Sequence, residues 1–290
     1  MKIVVYTVNA FAKTKFGGNP AGVVLDAGNL SERIMQNIAT NLGFSETAFI
    51  QRAENADFKL NFFTPNGEVD LCGHATIAAF SLMAEKKIIE KGVFKQETKA
   101  GILDIEVLKD GYILMDQTEP KFGEIIDKSE VADTLKVKED IFIPNLPLQV
   151  VSTGLRDIFV PIRSMRDLNE IKPDFKKIAY ISKKYNVTGY HLFTLETELN
   201  STAHCRNFAP LYDIPEESAT GTSNGALSCY LYKYGLIDKE NAGNLIFEQG
   251  YSMNKPSEIM VSLNFENDEI KNVKVGGRAL VIDKRELNLL

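Results

Sequence analysis

The sequence predicts an α+β protein of two pseudo-symmetric lobes, each a curved, mostly antiparallel sheet around its own central helix. Three observations support this. Short alternating or β-branched segments recur along all 290 residues, as half-buried strands require. The stretch from Gly73 to Met83 is apolar on nearly every face, since even its gaps are Ala, so it reads as an enclosed helix rather than a surface one. Finally, the second half echoes the first. Phe63-Thr64-Pro65 returns as Phe208-Ala209-Pro210, and Gly73-His74-Ala75-Thr76-Ile77-Ala78 as Gly221-Thr222-Ser223-Asn224-Gly225-Ala226, which again enters an apolar segment.

Taken in order, residues 2–8 alternate and are β-branched, a strand. Gly17-Gly18-Asn19-Pro20 turns the chain into a second strand over 21–25. Residues 30–42 set Leu30, Ile34, Ile38, Ala39 and Leu42 on one helical face, with Ser31 as N-cap and Gly43 as stop. Phe44 to Ile50 is a short loop entering a strand, 57–63 is a strand, and Thr64-Pro65-Asn66-Gly67 a turn. Asp70-Leu71-Cys72-Gly73-His74 opens the first central helix, which ends in charge at 86–91; strands follow at 93–99, 102–108 and 112–117. From 116 to 143 the chain is charged and loses its alternation, and Pro120, Pro144 and Pro147 punctuate the region. The lobes are therefore placed at 1–118 and 119–290. The second continues with strands at 148–153 and 158–162, a helical region between Pro173 and Tyr185, and strands at 189–195 and 203–208. After its central helix come strands at 258–263 and 270–282, and a crossing of the last strand back to the first lobe stays open.

Composition excludes several function classes. A net charge of −6 argues against a nucleic-acid partner, which needs a basic surface. No apolar run approaches membrane-spanning length, and one lysine before Ile3-Val4-Val5-Tyr6 does not make a signal peptide. Three widely separated cysteines, Cys72, Cys205 and Cys229, lack metal-ligand spacing and fit reduced thiols in the cytoplasm. Nothing matches a P-loop, a dinucleotide fingerprint, a zinc site or a nucleophile elbow, so a mechanism without metal or organic cofactor is the economical one.

If the lobes face each other, two buried helices aim their N-termini at one cleft. Such ends take carboxylate or phosphate, with Gly73 and Gly221 admitting the ligand to the backbone; either glycine alone is as easily a tight turn. Glu46, between Ser45 and Thr47 ahead of an apolar strand, is the candidate acid/base: carboxylates in partly dry clefts suit proton transfer at carbon. Spacing alone fits a solvated strand-end glutamate equally well. His74 is a candidate to orient substrate or shuttle a proton, against the alternative of a structural cap. Cys72, near a helix N-terminus, is a nucleophile or base candidate whose matching place holds Ala219-Thr220 instead; Cys205 and Cys229 are read as packing. Glu216 and Glu217 precede the second helix, as dipole partners or, for Glu217, as a site residue.

These residues together resemble the PhzF family of phenazine-biosynthesis-like proteins. The likeness covers Phe16-Gly17-Gly18-Asn19-Pro20-Ala21-Gly22-Val23-Val24, Ser45-Glu46-Thr47-Ala48-Phe49, Phe63-Thr64-Pro65 through Gly73-His74-Ala75-Thr76, Ser152-Thr153-Gly154, Arg206-Asn207-Phe208-Ala209-Pro210 and Ala219-Thr220-Gly221. The resemblance implies the diaminopimelate epimerase fold, a site between lobes, a homodimer and no cofactor. It also implies an isomerase in which a glutamate matching Glu46 moves a proton on a small carboxylate-bearing metabolite. A histidine matching His74, an acid matching Glu217 and a hydroxyl matching Thr222 line such a site; Gly73, Gly221 and Ser223 complete the anion-holding set, with Cys72 and Asn19 as secondary candidates. The family pattern Glu-Asp-Pro-Ala-Thr-Gly-Ser is altered here by Glu217, Ser218 and Thr222, so the named isomerase's substrate is not carried over. The rival readings are an epimerase or racemase pairing Cys72 with Glu46, and a catalytically idle relative that binds a metabolite.

Overall fold

The β-branched start of the chain forms β1 (Lys2–Ala10) in the computed structural model, which describes residues 2–288. It pairs antiparallel with β2 (Asn19–Val24). The chain crosses over through α1 (Glu32–Leu42) and returns as β3 (Thr47–Gln51), parallel to β2. Met35, Ile38 and Ala39 of this amphipathic helix pack with Val24, Leu30, Phe49 and Phe63. Gly43, at φ 68°, ends α1 with its N–H donating to the Ala39 carbonyl at 3.0 Å, a left-handed cap that glycine takes without a Cβ clash. Ser31 holds the N-cap position, although its hydroxyl makes no capping bond.

Next come β4 (Phe58–Phe63), antiparallel to β3, and the short β5 (Glu68–Val69) beside it. They lead into α2 (Gly73–Glu85), after which β6 (Gly92–Thr98) lies parallel to β4 and continues as a meander with β7 (Gly101–Val107) and β8 (Ile113–Asp116). Strands β1, β2, β3 and β8 all touch α2. Ala75, Thr76, Ile77, Ala78, Ala79, Phe80, Leu82 and Met83 are buried, because a helix with alanine in its gaps has no face to give to water. Phe80 fills one flank, edge-to-face on Phe58 at 6.0 Å. Phe80→Ala should cost about 3–5 kcal/mol of stability in urea denaturation, whereas an alanine at the exposed end residue Glu85 should stay within about 0.5 kcal/mol.

The second unit repeats this plan. Its elements are β9 (Lys121–Ile126), α3 (Lys128–Leu135), β10 (Leu148–Ser152), β11 (Arg156–Pro161), α4 (Met165–Glu170) and α5 (Phe175–Lys184). They are followed by β12 (Gly189–Thr194), β13 (Ala203–Ala209), β14 (Ile214–Glu217), α6 (Gly221–Lys233), β15 (Leu245–Gln249), β16 (Ser257–Glu266), β17 (Glu269–Gly277) and β18 (Ala279–Asn288). β11 runs parallel to β12 as β2 does to β3; β13 is antiparallel to β12 as β4 is to β3; β15 is parallel to β13 as β6 is to β4. The helix α6 packs on β10, β11 and β16, and every residue from Ser223 to Leu231 is buried. The chain thus adopts the α+β class with two like-built halves around enclosed helices.

The compact units are Met1–Asp116 with Gly276–Leu290, and Gln117–Val275. The stretch 270–282 is two strands rather than one: the pairing breaks at Arg278, and β18 pairs antiparallel along β1, with Lys2 opposite Asn288. Both pieces alternate, so periodicity passes over the break. Just before the break stands Gly276, where a Cβ would collide with the Ile113 carbonyl oxygen. Strand β9 and helix α3 occupy the region read as irregular, and α4, β14 and β15 are likewise additions to the sequence reading. Among the described residues no helix is long and apolar enough to cross a membrane.

Candidate active site

In the first unit the cap at Gly43 releases the chain into Phe44-Ser45-Glu46 just before the buried strand β3. The Glu46 backbone is pinned, its carbonyl accepting from the Gly22 N–H at 3.2 Å. Opposite it lies the start of α2, with Cys72 as N-cap in extended conformation. The Cys72 carbonyl accepts from both the Thr76 N–H and hydroxyl, at 3.0 and 2.9 Å, which locks the first turn. Three side chains then converge. His74 Nε2 is 3.3 Å from Glu46 Oε2 and 3.4 Å from Ser45 Oγ, while its Nδ1 is 3.4 Å from Cys72 Sγ. Burial lowers the His74 pKa, outweighing the nearby Glu46 carboxylate that raises it; the imidazole is therefore neutral near pH 7. The Glu46 side chain is 21% exposed, yet its Oε2 is enclosed and takes no hydrogen bond.

Gly73 begins α2, and its Cβ, if present, would sit at an ordinary 3.6 Å from Met115 Sδ. Packing inside the unit therefore does not demand glycine here. The N–H groups that open a helix have no acceptor within it. Asn19 is buried at the start of β2, opposite Ala10.

In the second unit the start of α6 sits on a buried polar network. Thr220 Oγ1 donates to Glu217 Oε2 at 2.6 Å, and the Thr220 N–H to Gln249 Oε1 at 3.1 Å. Gln249 Nε2 donates to the Glu217 carbonyl at 2.8 Å, and Asn224 Nδ2 to Gln249 Oε1 at 2.9 Å. His191 bridges Asn207 through Nδ1 at 3.1 Å and Asn224 through Nε2 at 3.4 Å. Burial drives its pKa down to about 3, so it is neutral, with Nε2 carrying the proton that its partners require.

The Ser223 hydroxyl donates to Asp157 Oδ2 at 2.5 Å. It also accepts from Asn207 Nδ2 at 3.4 Å, so the hydroxyl is engaged on both sides. Thr222 is half-buried, its carbonyl accepting from Thr153 Oγ1 at 3.1 Å. Glu216 belongs to an ion pair with Arg206, at 2.8 and 2.9 Å, and not to the polar turn. Asp157, Asn207, His191, Asn224 and Gln249 are absent from the sequence-derived candidates. Asn207 and Asn224 stand inside stretches quoted above for the resemblance and the repeat, whereas Asp157, His191 and Gln249 are marked only as polar residues at positions the pattern makes buried. Cys205 and Cys229 are buried, and burial lifts both thiols, that of Cys229 to about 12.

Burial raises the Asp157 carboxyl to about 6, against the Ser223 hydrogen bond and the Gly189 N–H that lower it. A carboxyl raised in the folded state keeps a proton that the unfolded chain, near 3.9, has lost. Stability therefore falls as pH rises from about 4 through about 6, by up to about 3 kcal/mol. Asp157→Asn should remove that slope. Denaturant titrations at pH 4.5 and 7.5 are expected to show the variant gaining on wild type at the higher pH.

Two like-built units of mixed sheet around enclosed helices are the architecture of the diaminopimelate epimerase-like fold class. Residues 8–285 match the family model described as phenazine biosynthesis-like protein, PhzC-PhzF. The chain belongs to the PhzF family. It is 36% identical to an uncharacterized isomerase of Clostridium acetobutylicum, over 99% of each chain. It is 26% identical to the trans-2,3-dihydro-3-hydroxyanthranilate isomerase of Pseudomonas chlororaphis, over 96% of each. Among solved structures, a Bacillus anthracis phenazine biosynthesis protein of the PhzF family superposes with TM-score 0.90 at 32% identity, covering 100% of both chains. A hydroxyproline epimerase from Agrobacterium vitis shares the fold alone, with TM-score 0.62 at 12% identity over 99% of this chain and 91% of that one.

Proposed function

We propose that the protein is a cofactor-independent isomerase that moves a proton on a small carboxylate-bearing metabolite, with Glu46 as general acid/base. The observation that carries this reading is the enclosed Glu46 Oε2, without a hydrogen bond and 3.3 Å from a neutral His74. An ionised carboxylate there accepts a proton from a substrate carbon and, once protonated, returns it at another position, with no net change in the enzyme. The neutral His74 ring, 3.3 Å from Oε2, lines the enclosed side of the carboxylate and adds no charge of its own. The free N–H groups at Gly73 and His74 suit the substrate's anionic group. The start of α6, through Gly221, Thr222 and Ser223 with Glu217, is proposed as a second anion-binding turn on its own evidence. Its buried network holds the backbone N–H groups in place, so changes there should raise KM more than they lower kcat.

The Pseudomonas chlororaphis relative is named for trans-2,3-dihydro-3-hydroxyanthranilate, but Glu217, Ser218 and Thr222 depart from the family pattern, so that substrate is not carried over to this chain. The test is a screen of small cyclic and amino carboxylic acids in deuterated water for exchange of carbon-bound hydrogen. Exchange that Glu46→Gln abolishes supports the reading; tight binding without any exchange supports an idle binding protein instead. The Cys72 contact with His74 favours one second reading, an epimerase using Cys72 with Glu46. Inversion at a stereocentre that Cys72→Ala abolishes would establish it.

A further inference from the structure

We propose that Glu46, Cys72 and His74 form a site for a thiophilic divalent cation of the Zn2+ class, and that its occupancy shuts off the acid/base role of Glu46. The second half rests on the isomerase reading above; the binding itself does not. Thiolate, imidazole and carboxylate are the donors zinc takes. No spacing motif announces them, because Glu46 comes from the loop before β3 and the other two from the start of α2.

The geometry is close to what the ion needs. All three donor atoms lie within 4.8 Å of one another. The Nε2–Oε2 separation is 3.3 Å, and Cys72 Sγ lies 3.4 Å from Nδ1 and 4.0 Å from Nε2. Bonds of about 2.0–2.2 Å to N and O and about 2.3 Å to S, at tetrahedral angles, put donors roughly 3.3–3.6 Å apart. The nitrogen–oxygen edge already has that length, and the thiol, 4.0 Å from Nε2, has to come about 0.4 Å nearer. Ser45 Oγ, 3.4 Å from Nε2, has to give up the imidazole.

A second observation points the same way. Glu46 Oε2 is enclosed and accepts no hydrogen bond, so a cation would satisfy an acceptor that burial otherwise leaves desolvated. The backbone beneath two of the donors is fixed before the ion arrives: the Cys72 carbonyl accepts two bonds from Thr76, and the Glu46 carbonyl one from Gly22. Three protein ligands leave a fourth position open, the arrangement of exchangeable rather than closed structural sites. Binding releases the thiol proton to solvent. It also occupies the carboxylate lone pair that proton transfer at carbon requires.

The test uses chelator-treated, full-length protein titrated with Co2+. One Co2+ per chain should bind with a near-ultraviolet thiolate-to-cobalt charge-transfer band, and Zn2+ should displace it. The band should vanish in both Cys72→Ser and Cys72→Ala, with circular dichroism reporting that each variant is folded. Glu46→Gln should bind Zn2+ at least about 10-fold more weakly. Absence of the band, its survival in the folded Cys72 variants, or Zn2+ affinity indifferent to all three substitutions overturns the site. Zn2+ that saturates the site should stop turnover reversibly, with chelator restoring it; turnover continuing at saturation overturns the regulatory half. A normal cobalt band together with full turnover by Glu46→Gln would leave the metal site standing and remove the isomerase reading instead.

Discussion

Glu46→Gln should lower kcat by about 10²–10⁴-fold, the range that a positioned general acid/base contributes. The substitution preserves size and leaves the bond from the Gly22 N–H to the residue-46 carbonyl in place, so helix α2 and its first turn are undisturbed. What it removes is the ability to take up and release a proton. KM should therefore change little, and proton exchange with solvent should fall in parallel with turnover. Wild-type turnover by a folded Glu46→Gln protein on a genuine substrate would move the chemistry elsewhere. The neutral state of His74 sharpens the expectation. Burial outweighs the pull of Glu46 on that imidazole, so the pH profile near neutrality should not carry a histidine limb that His74→Asn removes.

The second large effect is structural. Arg206→Ala should destabilise the protein by about 3–5 kcal/mol, the cost of removing one partner from a buried ion pair. The Arg206 side chain is 8% exposed and that of Glu216 15%. Its guanidinium donates to both Glu216 oxygens at 2.8 and 2.9 Å, and to the Leu168 and Ile171 carbonyls at 2.9 and 3.0 Å, while covering the Phe208 ring at 4.9 Å. The carbonyls are those ending α4, which have no intrahelical donor. Alanine thus leaves the Glu216 carboxylate with only the Ser252 hydroxyl and takes the donor from two helix-end acceptors at once. Arg206→Lys should recover only part of the loss, since an ammonium cannot span a bidentate carboxylate and two carbonyls. Denaturation midpoints at unchanged slope would check this. Glu216→Ala should cost less, because the guanidinium keeps its two carbonyl partners.

The Arg206 case shows what periodicity reads and what it does not. Arg206 lies in a strand whose seven residues are all buried, and its charge interrupts an otherwise apolar reading without saying why. The reason is an acceptor set drawn from α4 and β14, both too short for a periodic signal. Asp157 is the same kind of case: its partner Ser223 stands 66 positions away. By contrast α1 is legible almost to the residue, since its apolar stripe and Gly43 are local properties of the chain. The run 270–282 lies between these cases: its alternation is correctly that of strands, but the break at Arg278 leaves no mark on the period.

By itself the sequence determined the enclosed helices, because alanine-filled apolar turns leave no face for water, and the doubled motif around Gly73 and Gly221 that makes the two halves alike. It also placed Glu46 and His74 among the candidates. Only the tertiary structure decided which of these residues meet. Glu46, His74 and Cys72 converge, Ser223 is given over to Asp157, and Glu216 is taken by Arg206. The physical reason is that hydrophobic period reports whether a side chain is buried, a local quantity. The partner of a polar group is chosen by strand register and crossover, and these depend on residues far away along the chain.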